Sequence, residues 1–290
     1  MAFSLDFFTF SPANSHLTKA MAMHYKRLFM SMSIAAVAFA VFNAGAATDV
    51  LPGGAINVGS ADYFTVLAKG DAGFTDNTIT GPSFVTGNYG LGGGKLSITG
   101  SSKINGNLVK HSGTQLNTSG AGAITGSITT NDAQLDQAFA DAQMLSDTAA
   151  AETTTAAYAS LTSVNKSMTI SGGPGEKVVL NLQDFKLDGG STFTLQGTAT
   201  TSFIINVTKR FALTGNSQIL LSGVPPANVL FNILGKGEQV AFSGKAGMSG
   251  ILLALNRKVD LSSGHVTGKV IANQVVITSG GSVVTPTTNP

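Results

Sequence analysis

The sequence predicts a mostly β protein with one long helix, in which short strands stack as the coils of a β-solenoid. Brief runs of Ile, Val, Leu and Phe alternate with small polar residues and end at Ser-Gly, Thr-Gly or Asn-Gly corners. Such runs are typical of strands joined by tight turns. A loose repeat also starts at Val240, Val259 and Val275, 19 and 16 residues apart. Each phrase is too short to bury its own apolar side, so stacked coils are favoured. A β-sandwich with short alternating strands is the alternative.

The N-terminus has the pattern of a secretory leader over residues 23–47. Lys26 and Arg27 supply the positive charge, and an apolar stretch follows up to Phe42. Ala44-Gly45-Ala46 offers small residues for cleavage. The apolar stretch is shorter than the about 20 residues of a membrane span, although a membrane anchor is the alternative. Residues 1–22 are predicted to be an upstream extension, and the mature chain to be secreted, held at the cell surface or periplasmic.

The composition of the mature chain excludes several classes of protein. Removing residues 1–47 takes away three of 17 basic and one of 15 acidic residues, which leaves 14 of each. The neutral balance argues against nucleic acid as a partner. The chain has no Cys, so the predicted exported domain, residues 48–284, needs a large apolar interior instead of disulfides. Residues 285–290 are predicted to be a tail.

One segment has the composition of a helix. Residues 132–159 are rich in Ala, Gln, Leu, Asp and Glu, and Asn131 or Asp132 is available as an N-cap. An apolar stripe follows helical spacing and predicts that the helix packs on the side of the solenoid; its members are Leu135, Phe139, Ala142 and Leu145.

No catalytic, cofactor or metal site is predicted. The mature chain keeps only His111 and His265, too few ligands for a zinc site without Cys. The glycine run at 92–94 lacks the Lys-Ser or Lys-Thr of a phosphate-binding loop. Neither Asp71 to Asp76 nor Asp184 to Asp188 matches a calcium-binding loop.

One functional alternative, ranked below two binding functions, is a carbohydrate-active β-helix enzyme. Such an enzyme would use two carboxylates, and Asp184 with Asp188 is the best pair. Four residues apart in a strand, however, they would share an exposed side, where carboxylates are ordinarily solvated. The prediction is therefore a protein that is not an enzyme.

Hydroxyl side chains are abundant on the predicted strands and are the candidate binding residues. The segment from Ser191 to Val207 predicts Phe203, Ile205 and Val207 inside and a hydroxyl-rich outer side. The candidates on that outer side are Thr192, Thr194, Thr198, Thr200 and Ser202. Rows of Thr could bind ice or a polymer, but no strict Thr-x-Thr is seen to recur from coil to coil, and Thr is also common on exposed strands.

The C-terminal half resembles the bacterial choice-of-anchor A family of surface domains. The resemblance rests on Val224-Pro-Pro-Ala-Asn-Val-Leu-Phe-Asn-Ile-Leu-Gly, Phe242-Ser-Gly, Gly250-Ile-Leu-Leu-Ala-Leu-Asn and Gly268-Lys-Val-Ile-Ala. It implies an adhesive or collagen-binding surface domain. The usual sorting signal and membrane anchor do not follow in this sequence.

Other phrases resemble the bacterial and fungal ice-binding proteins of the DUF3494 type. They are Gly59-Ser-Ala-Asp-Tyr-Phe-Thr-Val-Leu-Ala, Gly81-Pro-Ser-Phe-Val-Thr-Gly-Asn and the central helix. This resemblance implies a discontinuous β-solenoid with a helix packed alongside. Together the two resemblances cover nearly all of residues 56–284, and neither assigns binding residues.

The first functional hypothesis is a secreted, non-enzymatic adhesive domain that binds an extracellular surface, a matrix protein or a polysaccharide. Ice binding through a flat Thr-rich and Ser-rich face is the alternative. A flat, regular hydroxyl row would favour ice, whereas an irregular or aromatic patch would favour adhesion. The oligomeric state is not predicted.

Overall fold

The computed structural model describes residues 54–71 and 76–286. The predicted upstream extension and leader, residues 1–47, lie outside this part of the chain. Every strand pairing among the described residues is parallel, and the chain winds into three-sided coils. The fold is the predicted β-solenoid, because a sandwich would need antiparallel pairs.

Two long strands bend around the corners and contribute to all three sides. They are β21 (Gly247–Ser262) and β22 (His265–Thr278). The two strands pair along most of their length, with a register shift between Ala254 and Lys258 at one corner.

The first side is called the helix face because the α-helix covers it. From one end its strands are β10 (Ile128–Thr130), β7 (Leu108–Lys110), β4 (Tyr89–Leu91), β1 (Val66–Ala68), the middle parts of β22 and β21, β19 (Val229–Ile233), β16 (Ser202–Val207) and β13 (Lys177–Leu182).

The second side is called the hydroxyl face after its outward side chains. In the same direction its strands are β8 (Gln115–Gly120), β5 (Lys95–Gly100), β2 (Asp76–Thr80), the C-terminal parts of β22 and β21, β20 (Val240–Ser243), β17 (Phe211–Leu213), β14 (Asp184–Leu187) and β11 (Ser163–Val164).

The third side is called the groove face. Its strands are β9 (Ala123–Ile124), β6 (Lys103–Asn105), β3 (Phe84–Thr86), β23 (Ser282–Val284), the N-terminal parts of β22 and β21, β18 (Gln218–Ser222), β15 (Thr192–Gln196) and β12 (Met168–Ser171).

The order of coils in space differs from their order in sequence. The first coil, β1 to β3, pairs with the last coil, β22 and β23, for example at Val66 with Val270 and at Phe84 with Ser282. The chain winds away from this junction, crosses back with the helix, and then winds toward the junction from the other side. The solenoid is therefore discontinuous.

Every second side chain of a strand points inward, and these side chains fill the interior of the solenoid. Aromatic rings stack along the axis: the ring centroids of Phe185 and Phe211 are 5.0 Å apart with planes 13° from parallel, and those of Phe211 and Phe242 are 5.9 Å apart. Phe203, Ile205 and Val207 point into this interior, as predicted.

The helix α1 (Asp132–Ala151) packs on the helix face and creates a second apolar core. It begins where predicted, and the side chain of Asn131 caps the backbone N–H of Gln134 at 3.1 Å. It ends at Ala151 instead of near residue 159, because the β-branched Thr153 to Thr155 run follows. A short 3-10 helix, Ala156–Tyr158, comes next; two others span Gly59–Tyr63 and Pro226–Asn228.

The predicted helical stripe faces the solenoid. Leu135, Ala142 and Leu145 are fully buried, and Phe139 is partly buried. They pack against strand residues that point outward from the solenoid, such as Ile204. Both sides of β1, β4, β16 and β19 are thus buried, which explains why these strands lack strict alternation. No helix in the described part of the chain has the length and apolar character needed to cross a membrane.

Two stacked glycines allow close packing at one corner. Gly250 and Gly268 are in register, with φ of 130° and 148°. A Cβ on Gly268 would lie 1.9 Å from the carbonyl oxygen of Gly250. Only glycine fits such a backbone approach.

Candidate functional site

The exposed hydroxyl face carries a row of six hydroxyl side chains, one from each of six neighbouring strands. In spatial order they are Ser119, Thr99, Thr80, Thr278, Ser262 and Ser243. At a strand spacing of about 4.8 Å the row is about 24 Å long. Ser119 is exposed and the other five are half-exposed.

The row is held in register by the backbone ladder and by its own hydroxyls. Thr99 Oγ1 donates a hydrogen bond of 2.8 Å to Thr80 Oγ1. The residues just before Thr99, Thr80 and Thr278 are isoleucines, which are fully buried on the inner side of the sheet. Since these anchors lock the strand faces, the hydroxyls cannot turn inward without exposing the core.

A second row of mostly small side chains lies two residues earlier in each strand. It consists of Asn117, Ser97, Thr78, Val276, Asp260, Ala241 and Ala212. Side chains of such similar size form a nearly level surface of hydroxyl and methyl groups around Ser97, Thr78 and Val276. The two rows together form the candidate site.

Charged side chains lie along the edge of the candidate site at the corner next to the helix face, and one of them, Asp260, belongs to the second row. Lys95 Nζ lies 3.5 Å from an oxygen of Asp76, and Lys258 Nζ lies 2.8 Å from one of Asp260. Because each charge has an opposite partner beside it, this edge presents little net charge to a ligand.

The structure does not bring the predicted binding residues together in a row on one face. Thr192 and Thr194 are half-exposed on the groove face, where their register partners are Gln218 and Leu220. Thr198 and Thr200 lie in the following turn, with their hydroxyl oxygens 3.1 Å apart.

The predicted exposure of Ser202 is wrong. This residue starts β16 on the helix face and is fully buried. The alternation was read correctly from Phe203 onward, but the helix and the corner cover the outer side of β16. Ile204 and Asn206 on that side are buried as well.

The residues of the hydroxyl rows were not predicted, because neighbours in space come from opposite parts of the chain. Thr80 and Thr278 are adjacent only through the junction of the first and last coils. No strict Thr-x-Thr recurs, as the sequence indicated, but Thr78-Ile-Thr80 lies beside Ser97-Ile-Thr99, so a looser hydroxyl-x-hydroxyl pattern does. A usable signal was the shared Ile-Thr before a glycine corner at residues 79, 98 and 277.

The groove face is less regular and carries apolar side chains in the open. Leu220 is 45% exposed and Phe84 is 37% exposed. A shallow groove of about 460 Å³ runs beside Leu220, Val224, Pro226 and Met248. This is the apolar, irregular surface that the adhesion hypothesis requires.

The other candidate chemistry is dispersed. Asp184 lies 3.8 Å from Nε of Arg210, and Asp188 lies 3.1 Å from Nζ of Lys186, so each carboxylate has its own basic neighbour. Among the described residues, no group of three or more His, Asp and Glu side chains is arranged to hold a metal ion.

Two half-exposed carboxylates have shifted pKa values that reflect structural contacts. Burial raises the pKa of Asp71, but hydrogen bonds and charge from Lys69 and a hydrogen bond from Asn273 outweigh it and hold the pKa below its usual value. Hydrogen bonds from the hydroxyl and N–H of Ser112 lower the pKa of Asp132. The segment from Asp71 to Asp76 was compared with calcium-binding loops above; its residues 72–75 lie outside the described part of the chain.

Comparison with known proteins gave one family and a group of related folds. The model of a family described as "Putative Ice-binding-like adhesive domain" matches residues 53–284. A search of curated proteins found no match. The family match does not point to the choice-of-anchor A family, which the C-terminal phrases resemble.

Three solved structures share the fold at low sequence identity. An ice-binding protein of the Antarctic ascomycete Antarctomyces psychrotrophicus has 18% identity and a TM-score of 0.53, over 80% of this chain and 98% of that chain. The DUF3494 domain of ice-binding protein 1 of Shewanella frigidimarina has 17% sequence identity and a TM-score of 0.56, over 81% of this chain and 98% of that chain. A glycosylated ice-binding protein of an Arctic yeast has 16% sequence identity and a TM-score of 0.53, over 80% of this chain and 95% of that chain.

Proposed function

The chain belongs to the ice-binding-like adhesive domain family, and from this premise we propose that it is a secreted, non-enzymatic protein whose hydroxyl face binds ice. The observation that carries the proposal is the in-register row from Ser119 to Ser243 on an uncovered sheet. The solved structures with this fold come from proteins described as ice-binding. They support the ice alternative better than the adhesion hypothesis that the sequence favoured.

The spacing of the row suits water in an ice-like arrangement. Hydrogen bonds between water molecules of about 2.75 Å place second-neighbour oxygens about 4.5 Å apart in a tetrahedral network. Hydroxyls on adjacent strands repeat at about 4.7–4.9 Å. Each hydroxyl can therefore hold a water close to where an ice lattice would have one, with a mismatch of a few tenths of an ångström per strand.

Rigidity of the surface supports the same proposal. Binding an ordered solid gains little if the side chains must first lose rotamer freedom. Thr has one stiff side-chain torsion, and the hydrogen bond between Thr99 and Thr80 restricts two members of the row further. The methyl groups of Thr78 and Val276 supply apolar contact between hydroxyls.

The test is ice-crystal shape and thermal hysteresis, the gap between melting and freezing temperatures, measured on the chain from Thr48. We expect faceted crystals and a measurable gap for the wild type. Thr80→Tyr places a bulky ring in the centre of the level surface and is expected to remove most of the gap.

The matched control is Thr194→Tyr, the same change at a half-exposed outward Thr of the groove face. It is expected to keep the wild-type gap, and thermal unfolding should show that both variants are folded. Round crystals without a gap for the wild type would contradict ice binding. Loss of the gap in Thr194→Tyr, but not in Thr80→Tyr, would place the ice-binding surface on the groove face.

Adhesion is the second candidate function, favoured by the exposed Leu220 and Phe84 on the groove face. Leu220 and Phe84 lie on β18 and β3, four strand spacings apart on the groove face, a separation that a protein or polysaccharide ligand can span. A wild type without thermal hysteresis would leave this candidate, with an immobilised extracellular matrix protein as the first ligand to try.

A further inference from the structure

The two ends of the solenoid differ in how far other parts of the chain cover them. At one end, Tyr158 and Leu161 pack against the interior, and the Tyr158 hydroxyl donates to the carbonyl of Ser171 and accepts from its N–H. The strands β11, β12 and β13 also pair with one strand each, but the chain itself covers part of this end, since Thr155 exchanges hydrogen bonds with the backbone of Val179.

The other end, formed by β8, β9 and β10, is open within the described part of the chain. Each of these strands pairs with one strand of the preceding coil and with none beyond it. Leu116 and Ile124 are only partly buried, and Ile128 is 51% exposed. The end therefore presents unpaired backbone groups around an apolar centre.

The open end has none of the features that usually keep a strand edge from pairing. Natural edges are protected by charged residues, by Pro or by bulges. Residues 112–131 contain no Asp, Glu, Lys, Arg, His or Pro. The ladder between β5 and β8 runs in continuous register from Lys95 with Gln115 to Gly100 with Gly120. A partner strand can therefore pair along the full length of β8.

We propose that a second copy of the chain covers this end, with β8 of the two copies pairing antiparallel about a two-fold axis. Identical strands are complementary to each other in antiparallel pairing, since each presents the same alternation of N–H and C=O groups. Two uncharged ends meet without repulsion. Tyr158 and Thr155 occupy backbone groups of the opposite end, and Lys166 and Pro174 lie beside its strands. Association is therefore expected to stop at two copies instead of forming a filament.

The N-terminal part of the mature chain is too short to take this place. The N–H of Ile56 bonds to the carbonyl of Ala227, next to β19. On the helix face, β10 is six strand spacings from β19, about 29 Å. The eight residues that precede Ile56, from Thr48 to Ala55, span at most about 29 Å when fully extended. They cannot reach the open end and also pair along β8.

Pairing of β8 would join the hydroxyl faces of the two copies. With β8 paired along its full length, Asn117 lies opposite Asn117 of the second copy and Ser119 lies opposite Gln115. The second row, which contains Asn117, would therefore continue across the dimer contact. This consequence, unlike the dimer itself, rests on the proposed function.

The test is the molar mass of the chain from Thr48, measured by light scattering and sedimentation over a concentration series. The wild type is expected to reach the mass of two copies and no more. Thr118→Lys puts a charge on an inward position of β8, where it stays solvated in a single copy but lies at the contact between two. This variant is expected to remain at the mass of one copy.

The control is Thr169→Lys, which adds the same charge at an exposed position of β12, near the partly covered end. It should associate like the wild type, and circular dichroism should show both variants folded. A wild type that stays single, a Thr118→Lys chain that still pairs, or growth beyond two copies would overturn the inference. A wild-type dimer without thermal hysteresis would support it and contradict the proposed function.

Discussion

Single buried side chains fasten the helix to the solenoid. Asn232 Nδ2 donates to the carbonyl of Ser146 and to Oδ1 of Asn206, both at 2.9 Å. Asn206 Nδ2 in turn donates to the carbonyl of Ala149 and to Oδ1 of Asn181, at 2.7 and 2.8 Å. The amides thus form a ladder on three neighbouring strands. Buried polar groups of this kind are stable only when they are paired.

Asn232→Ala is therefore expected to lower the free energy of unfolding by about 2–3 kcal/mol, because it leaves buried groups of Ser146 and Asn206 without partners. Urea denaturation followed by circular dichroism measures the change. The control Asn117→Ala, at an exposed position of β8, should change it by about 0.5 kcal/mol or less. Equal effects at the two sites would contradict the role of the ladder.

Arg257 shows how one charged residue can organise a corner. It is 1% exposed, and its guanidinium donates to the backbone carbonyls of Thr208, Lys209, Leu234, Gly235 and Glu238. Burial lowers its pKa, while the charge of Glu238 acts in the opposite direction. With all its donors used by the backbone, Arg257 acts as a structural tie between successive coils.

At the scale of elements, the helix decides which face of the solenoid is free. It buries the outward apolar residues of the helix face, including Ile204, Leu230 and Ile271. Within residues 54–71 and 76–286, no helix covers the hydroxyl face or the groove face. The candidate site is thus on a strand face that the helix does not reach.

The contribution of the helix can be measured with neighbouring residues. Leu145 is fully buried against the solenoid, whereas Met144 is 43% exposed. Leu145→Ala should lower the free energy of unfolding by about 3 kcal/mol through the lost contact and the cavity left behind. Met144→Ala should change it by about 0.5 kcal/mol or less. Similar melting temperatures for the two variants would argue against a packed helix.

At the scale of the whole molecule, the last coil holds the two parts of the solenoid together. β22 pairs with β21 on one side and with β1 and β2 on the other. The strands of both neighbouring coils would lose a partner if this coil were missing. We infer that the described chain unfolds as one unit.

A chain that ends at Gly264 lacks the last coil and is expected to lose its sharp calorimetric unfolding transition. A chain that ends at Pro286 keeps every strand and should melt like the wild type. A sharp transition in the shorter chain would mean that one part of the solenoid is stable alone.

The local features of this protein followed from the sequence by itself. Apolar alternation and glycine corners predicted the solenoid, and Asn131 with the stripe from Leu135 to Leu145 predicted the start and the buried side of the helix. These signals are local, because strand alternation and helical periodicity act over a few residues. The end of the helix was misplaced, since the Thr-rich segment after Ala151 weakens a helix without marking one residue as its end.

Only the tertiary structure decided which hydroxyls share a face. Thr80 and Thr278 become neighbours because the last coil inserts beside the first, and no local pattern contains that pairing. Ser202 was misplaced for a related reason: a residue's exposure depends on what packs over it, here on the helix face. The alternation of inward and outward side chains along a strand is a local property. The order of coils is not, because it depends on which coils, far apart in the chain, pair and bury each other's apolar side chains.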